Sequence, residues 1–113
     1  MKYFIYSSAL VLSLFFAYKV LYPQLVLRDF DIICKAYTDA DQKISEGAID
    51  PIEAIYRVDD IASNLITPYA RNAHESIRTA DLSQQYDLYV LYVKESGADD
   101  WSCEVMKRLF PGS

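Results

Sequence analysis

With 113 residues and a net charge of −5, the chain has room for one modest domain. The charge is unevenly spread: residues 1–27 hold no acid, whereas residues 28–113 carry nine Lys/Arg against sixteen Asp/Glu, a net of −7. An acidic domain without a basic stripe is repelled by a phosphate backbone, which argues against nucleic-acid binding.

Residues 1–27 form a hydrophobic export or anchor segment. Lys2 precedes an uninterrupted apolar run from Tyr3 to Tyr18, the layout of a secretory signal and of a signal-anchor alike. The run makes ~24 Å of helix, short of the ~30 Å hydrocarbon core. Extended through Tyr22 it reaches about 20 residues, with Lys19 able to snorkel and Tyr18 and Tyr22 suited to the interface. Ala17 has bulky Phe15 two residues before it, a poor cleavage site. The expectation is a retained membrane segment over residues 3–22, with a cleaved signal and a secreted or periplasmic product as the alternative. Basic residues flank the segment on both sides, so charge alone does not orient it.

Residues 28–113 read as an acidic all-helical domain. A first helix is expected from about Gln24 to Glu46, stopped by Gly47, with Phe30, Ile33, Cys34, Tyr37, Ala40 and Ile44 on one face. Asp50-Pro51-Ile52-Glu53 opens a second, an N-cap followed by proline at the first helical position. Its apolar arc is Ala54, Ile55, Val58, Ile61, Ala62 and Leu65. Thr67-Pro68 starts a third with Tyr69, Ala73, Ile77 and Ala80 inward, and Asp81 a fourth that ends at Gly97. In that helix Leu82, Tyr86, Tyr89, Val90 and Val93 make the stripe. A short fifth runs from near Ser102 to Pro111. Nothing alternates at period two, so the fold class is all-α: a small disulfide-tied bundle of four to five helices behind the N-terminal apolar helix.

Two cysteines, Cys34 and Cys103, decide the compartment. Cys34 stands too far past the apolar run for lipid attachment, and two Cys with one His are too few for zinc. Asp99, Asp100 and Glu104 disfavour a thiolate at Cys103. A disulfide behind an export signal is the remaining reading, and it places the domain in an oxidising compartment. Trp101-Ser102-Cys103-Glu104 resembles the Trp-Thr-Cys-Glu stretch of small periplasmic acid-stress chaperones, which are helical, secreted and carry one disulfide. The likeness covers four residues, and in that family the stretch lies near the mature N-terminus.

Other sites reduce to surface chemistry. Asp39-Ala40-Asp41 lacks the glycine of a calcium loop, having Ile44 at that place, and on a helix its carboxylates point about 160° apart. No metal is expected. Asp41 falls inside the apolar arc, where pairing with an arginine such as Arg57 or Arg71 would account for it. His74 shares a face with Arg71, Glu75 and Arg78 and reads as a solvated imidazole; Glu53, Asp59 and Asp60 read as a solvated helix face. With no convergent acid, base, nucleophile or ligand set, no catalytic residue, cofactor or small-molecule ligand is expected. Leu88, Leu91 and Tyr92 lie outside the stripe of helix four. That implies either a central helix, the favoured expectation, or a partner surface together with Tyr56.

The functional expectation is a non-enzymatic cell-envelope protein that binds another protein, of accessory, inhibitor or immunity type. A periplasmic acid-stress chaperone is the alternative, and an enzyme of unknown class comes last.

Overall fold

The structure, a computed structural model, describes residues 2–98 and 100–110. Asp99 and the Pro111 stop lie outside them. Five helices, and no strand among the described residues, follow in chain order: α1 (Lys2–Ser45), α2 (Pro51–Ser63), α3 (Pro68–Arg78), α4 (Leu82–Glu95) and α5 (Glu104–Leu109).

The expected restart near Gln24 is absent. Helix α1 runs unbroken through Pro23, and the molecule measures 68 × 26 × 21 Å because this one helix sets its length. A proline inside a helix removes one backbone donor, the bond to the carbonyl four residues back. Here the ring is covered by the turn after α4: a Cβ added at Gly97 would stand 3.6 Å from the Pro23 side chain. Gly97 itself has φ +92°, a conformation that glycine adopts without steric cost.

Beyond Tyr22 one face of α1 becomes core. Val26, Phe30, Ile33, Ala36 and Ala40 are buried at three- and four-residue spacing. Small residues set the α1–α2 contact, where Ala36 and Ala40 cluster with Ala54 and Val58, closed at the end by Ile49. The larger core lies between α1, α3, α4 and α5, with Tyr89 and Met106 fully buried among Phe30, Ile33 and Ile77.

The starts of α2 and α3 are capped as the sequence dictates. Asp50 accepts from the Glu53 amide at 2.7 Å, and the Thr67 hydroxyl accepts from the Ala70 amide at 3.2 Å. Asp81 makes no such side-chain bond. Gly47, at φ +74°, turns the chain after α1.

Cys34 and Cys103 are joined, with their Cα atoms 5.8 Å apart and 69 positions of sequence between them. Around the bond, Trp101 donates its indole N–H to Asp31 at 2.9 Å and packs edge-on against Phe30. The Cys103 amide donates to Tyr86 Oη. The "DWSCE" stretch is therefore the clasp that holds the C-terminal helix on α1.

Candidate functional site

Two features stand out from the packed bundle: a buried polar chain at its centre and an apolar helix outside it. The polar chain begins with His74, which the sequence places on the surface. The structure corrects this, for His74 is only 5% exposed. Helix α3 turns its face so that Ala70, Ala73, His74 and Ile77 point inward, and Ala80 is only partly covered. The small side chains at 70 and 73 let α3 approach closely, and this carries His74 inside.

Buried imidazole nitrogens need partners, and both have one. His74 Nε2 lies 2.9 Å from Asp59 Oδ1 and Nδ1 lies 2.6 Å from Tyr89 Oη. The neutral tautomer that fits donates from Nε2 to the carboxylate and accepts the Tyr89 hydroxyl proton at Nδ1. Tyr37 lies near enough to Tyr89 for the two hydroxyls to influence one another. Arg78 donates to both Asp59 oxygens, at 2.8 and 3.2 Å. Asp59 is thus no free member of a solvated face.

Burial disfavours the imidazolium more than Asp59 favours it, so the His74 pKa falls below its ordinary value. Burial also works against the Asp59 carboxylate, but the bonds from His74 and Arg78 together outweigh it and lower the pKa. Burial pushes Tyr37 and Tyr89 up, so both remain hydroxyls. The open side of the network is a surface cleft of about 540 Å³ between α2 and α3, lined by Asp59, Arg71, Asn72, His74, Glu75 and Arg78, among others. Tyr89 is fully buried, which puts its oxygen out of reach of a solute in that cleft.

One buried acid went unread in the sequence. Asp29, fully buried on α1, accepts from the Thr67 amide and hydroxyl, each at 2.7 Å, and from the Ile66 amide at 3.3 Å. It faces the start of α3, where unpaired amides and the helix dipole favour negative charge. Asp41 does pair with an arginine, but the partner is Arg108 of α5, at 2.7 Å, and not Arg57 or Arg71. Among the described residues no group of three or more Cys, His, Asp or Glu is placed to hold a metal ion.

The expected partner residues divide. Tyr56 is 70% exposed on α2, and so are its neighbours Ile52 and Ile55 in large part. Ile55 and Ile61, read from the sequence as inward, flank the buried Ala54–Val58–Ala62 line and remain open to solvent. Leu91 is 46% exposed, so α4 is not enclosed on all sides as favoured from the sequence. Leu82, expected in its stripe, is exposed as well, while Gln85 takes a buried place. Leu88 and Tyr92 pack against the core, Tyr92 edge-on to Tyr69, whose hydroxyl donates to the Tyr92 carbonyl at 2.7 Å.

The second feature is the N-terminal part of α1. From Leu10 to Leu21 nearly every large side chain is exposed, Leu12 at 68% and Phe16 at 70%, around the whole circumference. The helix from Leu10 is long and apolar enough to cross a membrane, and almost none of its apolar stretch is buried by the rest of the molecule. No family model, curated protein or solved structure matches the chain.

Proposed function

We propose that the protein is a non-enzymatic component of the cell envelope, held in the membrane by residues 3–22, with its disulfide-tied domain on the oxidising side, where it binds another protein. The observation that carries this reading is the all-round apolar exposure of Leu10 to Leu21 on a helix that continues directly into the domain. A helix apolar on every side needs an apolar surrounding, and the bundle supplies none. The Cys34–Cys103 bond suits an oxidising compartment.

For the protein partner, support comes from the outer face of α2. Ile52, Ile55 and Tyr56 form one exposed apolar turn beside Glu53 and Asp60. An apolar centre with an acidic rim fits a partner whose surface is apolar within and basic at the edge. The test is cross-linked capture of the full chain from its own membranes, comparing wild type with Ile52→Asp and Tyr56→Asp. Loss of a specific cross-linked species in both variants, with unchanged melting, supports the reading. An identical capture pattern in all three removes α2 as the docking face.

A further inference from the structure

We infer that the end of the bundle around Tyr22 is itself a lipid-contacting surface, seated in the headgroup layer of the bilayer that holds the anchor. The inference rests on the anchor reading and follows from length and rigidity. At 1.5 Å per residue, the stretch from Tyr3 to Tyr22 spans about 30 Å, the thickness of the hydrocarbon core. Ending the apolar run at Tyr18 moves the exit point by only about one turn.

No linker follows that exit. Helix α1 continues unbroken, Tyr22 already packs against the core, and Val26 one turn later is fully buried. Whatever stands beside residues 19–23 therefore lies at headgroup depth, whichever way the helix tilts by a few degrees.

Two parts of the domain stand there. Gly97 and Ala98, in the turn after α4, share a cleft with Lys19, Val20 and Pro23. Tyr69 and Tyr92 form the other part, held ring to ring with centroids 6.0 Å apart, and Tyr22 lies close enough to Tyr69 to act on it electrostatically, as does Glu95. With Tyr18 stacked on Tyr22 at 5.0 Å, four tyrosines gather at the base of the bundle. Tyrosine suits this layer because its ring is apolar and its hydroxyl wet. Lys19 and Lys94 can reach headgroup phosphates from the same level, Lys94 sharing a cleft with Ala98. Continuity with the anchor helix fixes the occupant as lipid: a protein partner would have to displace headgroups to reach this end.

The test uses the full chain with its native disulfide formed, reconstituted in phosphatidylcholine vesicles that carry a nitroxide on the headgroup. A fluorescent label is placed at Val11→Cys in the anchor, at Lys94→Cys at the base, or at Ile52→Cys. Ile52 belongs to the opposite end, two residues before Ala54, which clusters with Ala40, about 27 Å further along α1 than Tyr22. The expected result is shielding of the Val11 label from water and headgroup quenching at Lys94 several-fold stronger than at Ile52. A shielded Val11 label with equal, weak quenching at Lys94 and Ile52 would overturn the seat and leave the anchor standing. A water-exposed Val11 label would overturn both.

Discussion

His74 Nδ1 lies 2.6 Å from Tyr89 Oη, and this contact closes a polar chain drawn from three helices: Tyr89 of α4, His74 of α3 and Asp59 of α2. The bundle is tied centrally by this chain and peripherally by the Cys34–Cys103 bond. Its only histidine is the one side chain whose ordinary pKa lies between pH 5 and 8.

The consequence is acid sensitivity with a definite sign. The folded pKa of His74 is below its unfolded value near 6.5, so between the two the unfolded chain holds more protons. The stability tied to neutral His74 is complete above about pH 6.5 and is lost as pH falls towards the folded pKa. Asp59, also lowered, adds a further loss below its ordinary range near pH 4. The melting temperature should therefore fall on acidification from pH 7 to pH 5, and His74→Gln should melt lower at pH 7 but with a flatter pH dependence. An equal slope in the two proteins would show that His74 does not govern this window.

Asp29 and Thr67 should behave as one unit. Asp29→Ala leaves the buried Thr67 amide and hydroxyl without their acceptor, a loss expected at about 2–4 kcal/mol. Thr67→Val removes the hydroxyl and with it the cap of α3. The double variant should cost clearly less than the two single changes added together, because they share a bond. Simple additivity in denaturant melts would contradict the coupling.

The clasp at Cys103 should matter more than any surface pair. Cross-linking residues 69 positions apart contributes roughly 4 kcal/mol in the chain-entropy model, so Cys103→Ser should cost about 2–5 kcal/mol. Reductant should bring the wild type close to the variant. Arg108→Ala, which breaks the largely exposed bridge to Asp41, should cost no more than about 1 kcal/mol. A wild-type melting curve indifferent to reductant would refute the clasp.

Leu91→Asp is expected to leave the domain folded. At 46% exposure the new carboxylate reaches water, and surface changes of this kind move stability by about 0.5 kcal/mol. The enclosed α4 favoured by the sequence would instead unfold. A large drop in melting temperature would restore that arrangement.

How far the sequence reached follows from where its signals are local. Asp50-Pro51 and Thr67-Pro68 announce their helices within four residues, and Gly47 and Gly97 mark turns that positive φ confirms. The disulfide could be found because elimination left one use for two cysteines. What failed was rotation about a helix axis. On α3 the apolar residues are few, so a turn of the face towards Ala70 and Ala73 exchanged a surface histidine for a buried one. Asp29 gave no signal at all, since its partners just ahead of α3 are 37 and 38 residues away and two of its three bonds come from backbone amides. The continuity of α1 left no local signal, because the apolar run ends near Tyr22 and the one-sided face begins beyond it, with Pro23 between them and Gly97 beside its ring.

The central claim is that residues 3–22 stay in the membrane and the domain stands outside the cytoplasm. It is tested most directly by the mass and location of the native protein after protease is added to intact cells. The account requires the untreated chain at full mass in the membrane fraction, resistant to alkaline extraction, and loss of the part after Gln24 on protease treatment. A soluble product beginning near Tyr18 would contradict retention, and a cytosolic protein with both cysteines open to alkylation would contradict the account as a whole.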